Sequence, residues 1–266
     1  MQNNETRNVK RTPTAADYLG GESPRARGEK KRRKVLEWVY RWGYSSAEIL
    51  REVAGQQAKG YAKGLSEKGW LVEKKTESRL PRCIYTLSQI GQQDAERRAE
   101  KLLRYPEADS SKVKQQQIHH YLLAQRATIN ALVADTIIGY ETERMIDEEG
   151  DKAGEKRPDV IWLLPDGKKM GVEIELSPKW DHNFYLFVLG IVRALSPTST
   201  GQPAKYQSFA IVTESSAIYS RYKRDMQPGA DLQIFKKNDR QHWEKAGCDK
   251  VPNWLDDKVT FVLLDH

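Results

Sequence analysis

Residues 157–179, RPDVIWLLPDGKKMGVEIELSPK, contain two apolar runs that carry carboxylates. DVIWLLP and MGVEIEL have the length and composition of strands, and the DGKK between them is a turn signal, so the segment predicts a β-hairpin. The second strand contains Glu173 and Glu175. Burying an ionised carboxylate is costly unless it is paired or bound to a metal. The stretch therefore either lies at a sheet edge in water or builds a site.

Three carboxylates of this hairpin are expected to converge. Asp159 begins the first strand, whereas Glu173 and Glu175 share one face of the second because they are two residues apart. Three adjacent carboxylates repel one another unless a cation is present. Oxygen ligands of this kind suit Mg²⁺ or Mn²⁺, which can activate a water and stabilise charge on a phosphate. Lys179 can neutralise charge that develops on that phosphate. The structural alternatives are that Asp159 only starts a strand and that Lys179 is only solvated.

Helical and strand patterns alternate through the rest of the second half. Residues 112–135 have the pattern of a long amphipathic helix, followed by a strand pattern in TIIGYETERMI. After the hairpin come a helix (FYLFVLGIVRAL), a strand (YQSFAIVT), a helix (SSAIYSRYKRDM) and two strands (DLQIFKK and VTFVLLD). The order helix, three strands, helix, strand predicts an α+β or α/β domain over residues 112–266, with a mixed sheet flanked by helices.

Charge is distributed unevenly along the chain. Residues 1–105 contain 23 Lys and Arg against 13 Asp and Glu (23 − 13 = +10), and residues 106–266 contain 21 against 24 (21 − 24 = −3). A basic half of this kind indicates a polyanionic partner, nucleic acid above all. The alternative is a basic surface that serves solubility only.

The basic half has the element order of a winged helix-turn-helix. Residues 1–28 are poor in apolar groups and predict a flexible basic arm. A helix follows, with Val35, Leu36 and Val39 on one face, then a second helix capped at Ser45-Ser46, and then a third over QQAKGYAKGLSEKGWL. LVEKK, TESRLPR and CIYTLS predict strand, loop and strand. The winged helix therefore spans residues 29–104, and YPEADSS (105–111) is the predicted linker.

A helix fits the major groove of DNA, and a flanking hairpin can reach the backbone or the minor groove. We therefore expect two groups of side chains to face DNA. They are Gln56, Gln57, Lys59, Tyr61 and Lys63 in the third helix, and Lys74, Lys75, Arg79 and Arg82 in the wing. The alternative is a wing that packs on the other domain or on a protein partner.

Composition also bears on location. No run approaches the roughly 18 apolar residues of a membrane span, and the N-terminus has no apolar signal core. Cys83 and Cys248 are far apart and have no metal-binding spacing. A reduced, cytoplasmic setting without membrane contact is the expectation.

Pro158-Asp159, a spacer, Glu173-x-Glu175 and a nearby Lys179 resemble the PD-(D/E)XK nuclease superfamily, which has the restriction-endonuclease fold. The helix and strand order of residues 112–266 agrees with that fold. One position departs from the motif, because Glu175 stands where the superfamily has lysine. Lys179 is then the expected substitute.

A broader resemblance covers most of the chain. The winged helix, IHHYLLAQRATINAL, ETER, RPDVIW and VEIELSPK are similar to the replication-relaxation family, which includes the MobC-type relaxases of mobilisable plasmids. The positions that match are His119 or His120, Glu143 with Arg144, Pro158-Asp159, Glu173, Glu175 and Lys179. The resemblance implies strand-specific nicking at a plasmid transfer origin in the bacterial cytoplasm, with relaxosome accessory and coupling proteins as partners. It also implies that Asp159, Glu173 and Glu175 are catalytic acids and that Glu143 is a further candidate.

Other side chains favour structural roles. His119 and His120 lie on a long predicted helix and are interpreted as packing or hydrogen-bonding groups. Tyr185 and Tyr206 have no spacing that marks a nucleophile, so core packing is the expectation for both.

Two alternatives to the nickase remain. One is a non-catalytic DNA-binding regulator of plasmid replication or transcription, and the other is a double-strand restriction-type nuclease, which would require a symmetric dimer.

Overall fold

The computed structural model describes residues 21–146, 154–197, 201 and 203–264. These residues form seven α-helices, a five-stranded mixed sheet, a three-stranded antiparallel sheet and a two-stranded hairpin. The mixed α+β class predicted from the sequence is confirmed.

Helix α1 (Pro24–Trp42) begins earlier than the apolar pattern indicated. Ser23 caps it by accepting a hydrogen bond from the Ala26 amide at 3.1 Å, and proline follows at the first helical position. Both residues are strong start signals, which apolar periodicity does not register. Residues 24–28, expected in a flexible arm over 1–28, are therefore helical, and residues 1–20 of that expected arm lie outside the described residues.

Six further elements complete the N-terminal half: β1 (Ser45–Ser46), α2 (Ala47–Val53), α3 (Tyr61–Glu67), β2 (Leu71–Lys75), β3 (Cys83–Leu87) and α4 (Gln89–Glu96). The strands form a sheet in the order β1-β3-β2. Helix α3 is shorter than predicted, so Gln56, Gln57 and Lys59 lie in the loop before it. The reason is that Gly55 and Gly60 have φ values of 60° and 94°, which a right-handed helix cannot contain.

Segment 105–111 is packed, although a linker was predicted there. It contains the 3₁₀ turn Pro106–Ala108, and Tyr105 is buried. The Tyr105 hydroxyl donates to the Gly43 carbonyl at 2.6 Å and accepts from the Leu87 amide at 2.8 Å. These bonds fix the segment against α1 and β3.

The second half is built on one mixed sheet. Helix α5 (Ile118–Val133) precedes β4 (Gly139–Thr142), β5 (Val160–Leu163) and β6 (Lys169–Ile174), and α6 (Asp181–Ala194) leads to β7 (Ser208–Thr213). The sheet order is β10-β7-β6-β5-β4, where β10 is Val259–Leu263. Strands β4, β5 and β6 pair antiparallel, whereas β6, β7 and β10 pair parallel. The predicted hairpin at the DGKK turn is confirmed.

The two faces of this sheet pack against different elements. Val160, Val172 and Val212 belong to a core that includes α5 and α1, while Ile161, Phe209 and Ile211 pack with α6. Gln125 of α5 links the halves, because its side-chain oxygen accepts from Trp38 at 2.8 Å and from Ser45 at 2.6 Å.

The remaining elements are α7 (Ser216–Asp225) and the hairpin of β8 (Asp231–Lys237) and β9 (Trp243–Lys250). Strand β9 was not predicted, because all eight of its residues are exposed and no apolar alternation marks it. No helix among the described residues has the length and apolar character needed to cross a membrane.

Candidate active site

Asp159 lies just before β5 and is held from two directions. Its amide donates to the carbonyl of Val172, the β6 residue that pairs with Val160, at 2.9 Å. Its Oδ2 atom accepts from the Ile174 amide at 2.8 Å and lies 3.2 Å from His120 Nε2. Helix α5 and strand β6 together therefore orient this carboxylate.

Glu173 lies in β6 and Glu175 directly follows it, and both are only 2% exposed, so this buried stretch does contain two carboxylates. Glu173 Oε2 lies 2.8 Å from the ammonium of Lys156. Its other oxygen, Oε1, is buried and has no hydrogen-bond partner among the described residues. Glu175 pairs with the Lys179 ammonium and accepts from the Tyr222 hydroxyl at 3.2 Å. Lysine ammonium groups thus offset much of the cost of burial.

The protonation behaviour of this cluster follows from burial and mutual charge. Burial and the Asp159 carboxylate raise the pKa of Glu173 to about 8, although Lys156 opposes the shift. Burial lowers the pKa of Lys156, but the charges of Glu173 and its neighbours more than offset this and raise it. Burial raises the pKa of Asp159, but the hydrogen bond and charge of His120 outweigh it, so that pKa is lowered.

Lys156 is a site residue that sequence reasoning missed. It lies in the loop before β5, and its amide donates to the Gly190 carbonyl of α6 at 3.0 Å. Its Nζ atom also lies 5.9 Å from the Phe187 ring centre. The available signal was the basic run Lys156-Arg157 immediately before Pro158-Asp159.

Lys179 lies shortly after β6, as predicted from the sequence. Its amide donates to the Tyr222 hydroxyl at 2.8 Å, and its ammonium pairs with Glu175 and lies 4.6 Å from the Phe187 ring centre. Two lysines therefore stand beside the two glutamates, where the motif has one.

Both histidines make hydrogen bonds, as interpreted from the sequence. His120 contacts Asp159, and His119 Nε2 lies 2.9 Å from Glu214, which follows β7. Burial lowers the pKa of His120, but the hydrogen bond and charge of Asp159 outweigh it and raise that pKa. His120 is thus an electrostatic partner of a candidate catalytic acid.

Glu143 is not bonded to the three carboxylates, although its charge and that of Asp159 both act on His120. It lies in a 3₁₀ turn after β4, is exposed, and accepts from the Tyr121 hydroxyl at 2.5 Å. Its neighbour Arg144 pairs with Glu107 at 2.6 Å. Among the described residues, no hydrogen bond or ion pair joins Glu143 directly to Asp159, Glu173 or Glu175.

Tyr185 and Tyr206 pack as expected. Tyr206 is buried with its ring centre 5.3 Å from that of Phe209, and Tyr185 stacks on Phe235 at 5.9 Å.

Within the described ranges, no group of three or more His, Cys, Asp or Glu side chains is arranged to hold a metal ion. Instead, the ammonium groups of Lys156 and Lys179 pair with Glu173 and Glu175. The donor chemistry still fits a hard cation. No donor in the described part of the chain reaches the buried Glu173 Oε1 atom, and Asp159, Glu173 and Glu175 are the side chains that would supply oxygen ligands.

The predicted DNA-contacting side chains divide by exposure. Gln57, Lys59, Lys63, Lys75, Arg79 and Arg82 are exposed, whereas Gln56, Tyr61 and Lys74 are half-buried. The Lys74 ammonium donates to the Ser110 carbonyl, so it is engaged within the chain. The loop between β2 and β3 is closed by the Thr76 amide, which donates to the Arg82 carbonyl at 3.1 Å. Arg79 and Arg82 are therefore presented on an ordered loop.

Comparisons of the chain with protein-family models, with curated proteins and with solved structures found no match.

Proposed function

We propose that this chain is a metal-dependent DNA endonuclease that nicks one strand, as the resemblance of its sequence motifs to those of plasmid relaxases implies. The observation that carries the proposal is the grouping of Asp159, Glu173 and Glu175 with Lys156 and Lys179 around the C-terminal end of β6. Buried carboxylates with ammonium groups beside them are suited to a reaction in which negative charge develops on a phosphate.

The topology of the second half supports the proposal. A helix, an antiparallel β4-β5-β6 meander, a crossover helix and a parallel β7 agree with the order of the restriction-endonuclease fold. Asp159 stands at the start of the central strand of the meander and Glu173 within the next strand, as in the PD-(D/E)XK pattern.

Asp159, Glu173 and Glu175 would hold Mg²⁺ or Mn²⁺. When bound, the ion would supply a water of lowered pKa and offset charge on the phosphate. Asp159 is held ionised and oriented by His120 and the Ile174 amide. Lys179 is fixed by Tyr222 and can stabilise the additional negative charge of the transition state. The products of the proposed hydrolysis are a 3′-hydroxyl and a 5′-phosphate.

The N-terminal half would bind and orient the duplex. Its first three helices and the β2–β3 hairpin follow the winged helix-turn-helix order, with α3 as the recognition helix. Lys63 on α3 and Lys75, Arg79 and Arg82 on the hairpin supply exposed positive charge for phosphate contacts.

A second function is favoured by one observation. Glu173 and Glu175 are already paired with lysines, and Glu175 replaces the lysine of the motif. This arrangement suits a non-catalytic DNA-binding regulator that keeps the nuclease fold as a scaffold. Such a protein would bind DNA tightly and in a salt-sensitive manner without cleavage or divalent-ion affinity.

The test is to incubate the purified chain and Mg²⁺ or Mn²⁺ with a supercoiled plasmid. The plasmid carries the non-coding DNA that lies beside the gene for this chain. The matched control is the double variant Asp159→Asn/Glu173→Gln, which keeps side-chain size. Open circles from the wild type alone support the nickase. Linear product favours a double-strand nuclease, and binding without cleavage favours the regulator.

A further inference from the structure

A cleft of about 560 Å³ opens beside the candidate active site. Lys156 and Lys179, the lysines that pair with Glu173 and Glu175, line it together with Trp180, Asn183 and Phe187. Its volume lies within the roughly 300–1,000 Å³ typical of small-ligand sites. The cleft and the carboxylates therefore share a wall, and a ligand in the cleft would lie next to the proposed reacting phosphate.

Trp180 lies at this cleft with 60% of its surface exposed, which is unusual for so large an aromatic residue. The Arg221 guanidinium lies 3.8 Å from the indole ring centre and braces the ring through a cation–π contact. The chain enters α6 through Asp181 at φ 45°, an uncommon conformation for a residue other than glycine. A strained turn thus follows the exposed indole directly.

The other walls have complementary chemistry. Phe187 is buried, and both ammonium groups lie near its ring, at 4.6 Å for Lys179 and 5.9 Å for Lys156. Asn183 is exposed, and its amide side chain is of a type that can both donate to and accept from the edge of a base. An aromatic platform, a polar edge and a cationic rim suit a flat base that carries an anionic phosphate.

We propose that this cleft binds one unpaired nucleotide of the DNA strand to be cut. This inference rests on the proposed function, because it takes DNA to be the substrate. The base stacks on Trp180, and its phosphate faces Lys156 and Lys179. A base inside a duplex cannot reach the cleft, so the nucleotide must leave the stack or come from a single strand. The site therefore takes locally unpaired DNA.

The experiment compares full-length wild type with Trp180→Ala, Trp180→Phe and Trp243→Ala. Trp243 is the matched control, because it is also an exposed tryptophan, at 39%, but lies on β9 and stacks on His182. Binding is measured in EDTA by fluorescence anisotropy with two probes, a labelled 20-nucleotide single strand of mixed sequence and its duplex. Thermal unfolding confirms that each variant is folded.

We expect Trp180→Ala to weaken single-strand binding about tenfold, since stacking one base contributes roughly that factor. Duplex affinity should stay within about twofold, Trp180→Phe should restore most of the loss, and Trp243→Ala should change neither affinity. The inference is overturned by a wild type that does not bind the single strand, by full single-strand binding in Trp180→Ala, or by equal losses with both probes. The assay requires no cleavage, so failure of the wild type to nick plasmid would contradict the proposed function and leave this result standing.

Discussion

Nε2 of His120 lies 3.2 Å from Oδ2 of Asp159, which joins α5 to the residue that precedes β5. Each group shifts the pKa of the other: the histidine lowers the pKa of Asp159, and the carboxylate raises the pKa of His120. His120 and Asp159 are therefore both charged at mildly acidic pH. This contact orients Asp159 for the role proposed above and connects that role to stability.

Replacing His120 by glutamine should destabilise the protein in a pH-dependent way. His120 contributes stability that is fully present below its ordinary pKa of 6.5 and is lost as pH rises through its higher folded value. Asp159 contributes stability that is present above its ordinary 3.8 and is lost at lower pH. We expect His120→Gln to lose about 1–2 kcal/mol of unfolding free energy near pH 5.5 and less at pH 9, measured by urea denaturation. A loss that is constant with pH would contradict this account, and His119→Gln is the exposed control.

Glu173 should make the protein less stable as pH rises. It keeps its proton to about pH 8 in the folded chain, against an ordinary 4.5, so unfolding releases a proton between these values. Unfolding free energy therefore falls across this window, by at most about 1.4 kcal/mol per pH unit from this group. Glu173→Gln should flatten the profile between pH 5 and 8, whereas Glu141→Gln, which removes the partner of Lys169, should leave its slope unchanged. Parallel profiles for Glu173→Gln and wild type would show that this pKa is assigned wrongly.

Lys179 should matter for cleavage and not for duplex binding. Removing its charge by Lys179→Gln should lower the nicking rate about 100-fold, because a preorganised cation beside the phosphate is lost. Lys168→Gln is the control, since Lys168 lies in the β5–β6 turn and pairs with Asp166 at the surface. Single-turnover nicking with saturating protein separates rate from affinity. Equal rates for the two variants would remove Lys179 from the mechanism.

Two adjacent lysines of β2 should differ in DNA binding. Lys75 is exposed, whereas the Lys74 ammonium donates to the Ser110 carbonyl. Lys75→Ala should reduce the slope of log affinity against log salt by about 0.9, because one phosphate contact is lost. Lys74→Ala should leave that slope nearly unchanged. The comparison requires duplex titrations at several salt concentrations, and the reverse order would mean that the hairpin meets DNA with its other face.

Two helical glycines should respond oppositely to alanine. A Cβ at Gly91 would overlap the Trp70 carbonyl oxygen, whereas one at Gly64 meets no atom within 4 Å. Gly91→Ala should cost about 1–3 kcal/mol of unfolding free energy, and Gly64→Ala should gain about 0.5–1 kcal/mol. Thermal unfolding of both variants tests the packing of α4 on the Trp70 backbone, just before β2. A neutral Gly91→Ala would contradict that packing.

Local patterns predicted most of the fold. Apolar runs and the DGKK turn located β5 and β6, helical periodicity located α1 and α5, and a strongly apolar segment located α6. Three features were outside the reach of these patterns. Strand β9 has no buried residue to alternate, the start of α1 depends on the Ser23-Pro24 cap, and α3 is shortened by the two glycines before it.

The candidate site was predictable in its acids and in Lys179, but not in Lys156 or in the contact of His120 with Asp159. Asp159, Glu173 and Glu175 form the motif, and a carboxylate within an apolar run is easily recognised in a sequence because its burial would be costly. Lys156 and His120 reach the site from a loop and from a distant helix, and only tertiary packing brings them there. The sequence therefore predicted a metal ion beside carboxylates whose charge Lys156 and Lys179 already offset in part.

Manganese binding tests the central claim most directly. The wild type should bind Mn²⁺ at pH 7.5, measured by loss of the free-ion signal in electron paramagnetic resonance. Its affinity should increase towards pH 8 as Glu173 loses its proton. Asp159→Asn and Glu173→Gln should each abolish most of this binding. A wild type that binds no Mn²⁺, or variants that bind it as the wild type does, would contradict the assignment of these carboxylates to a nuclease centre.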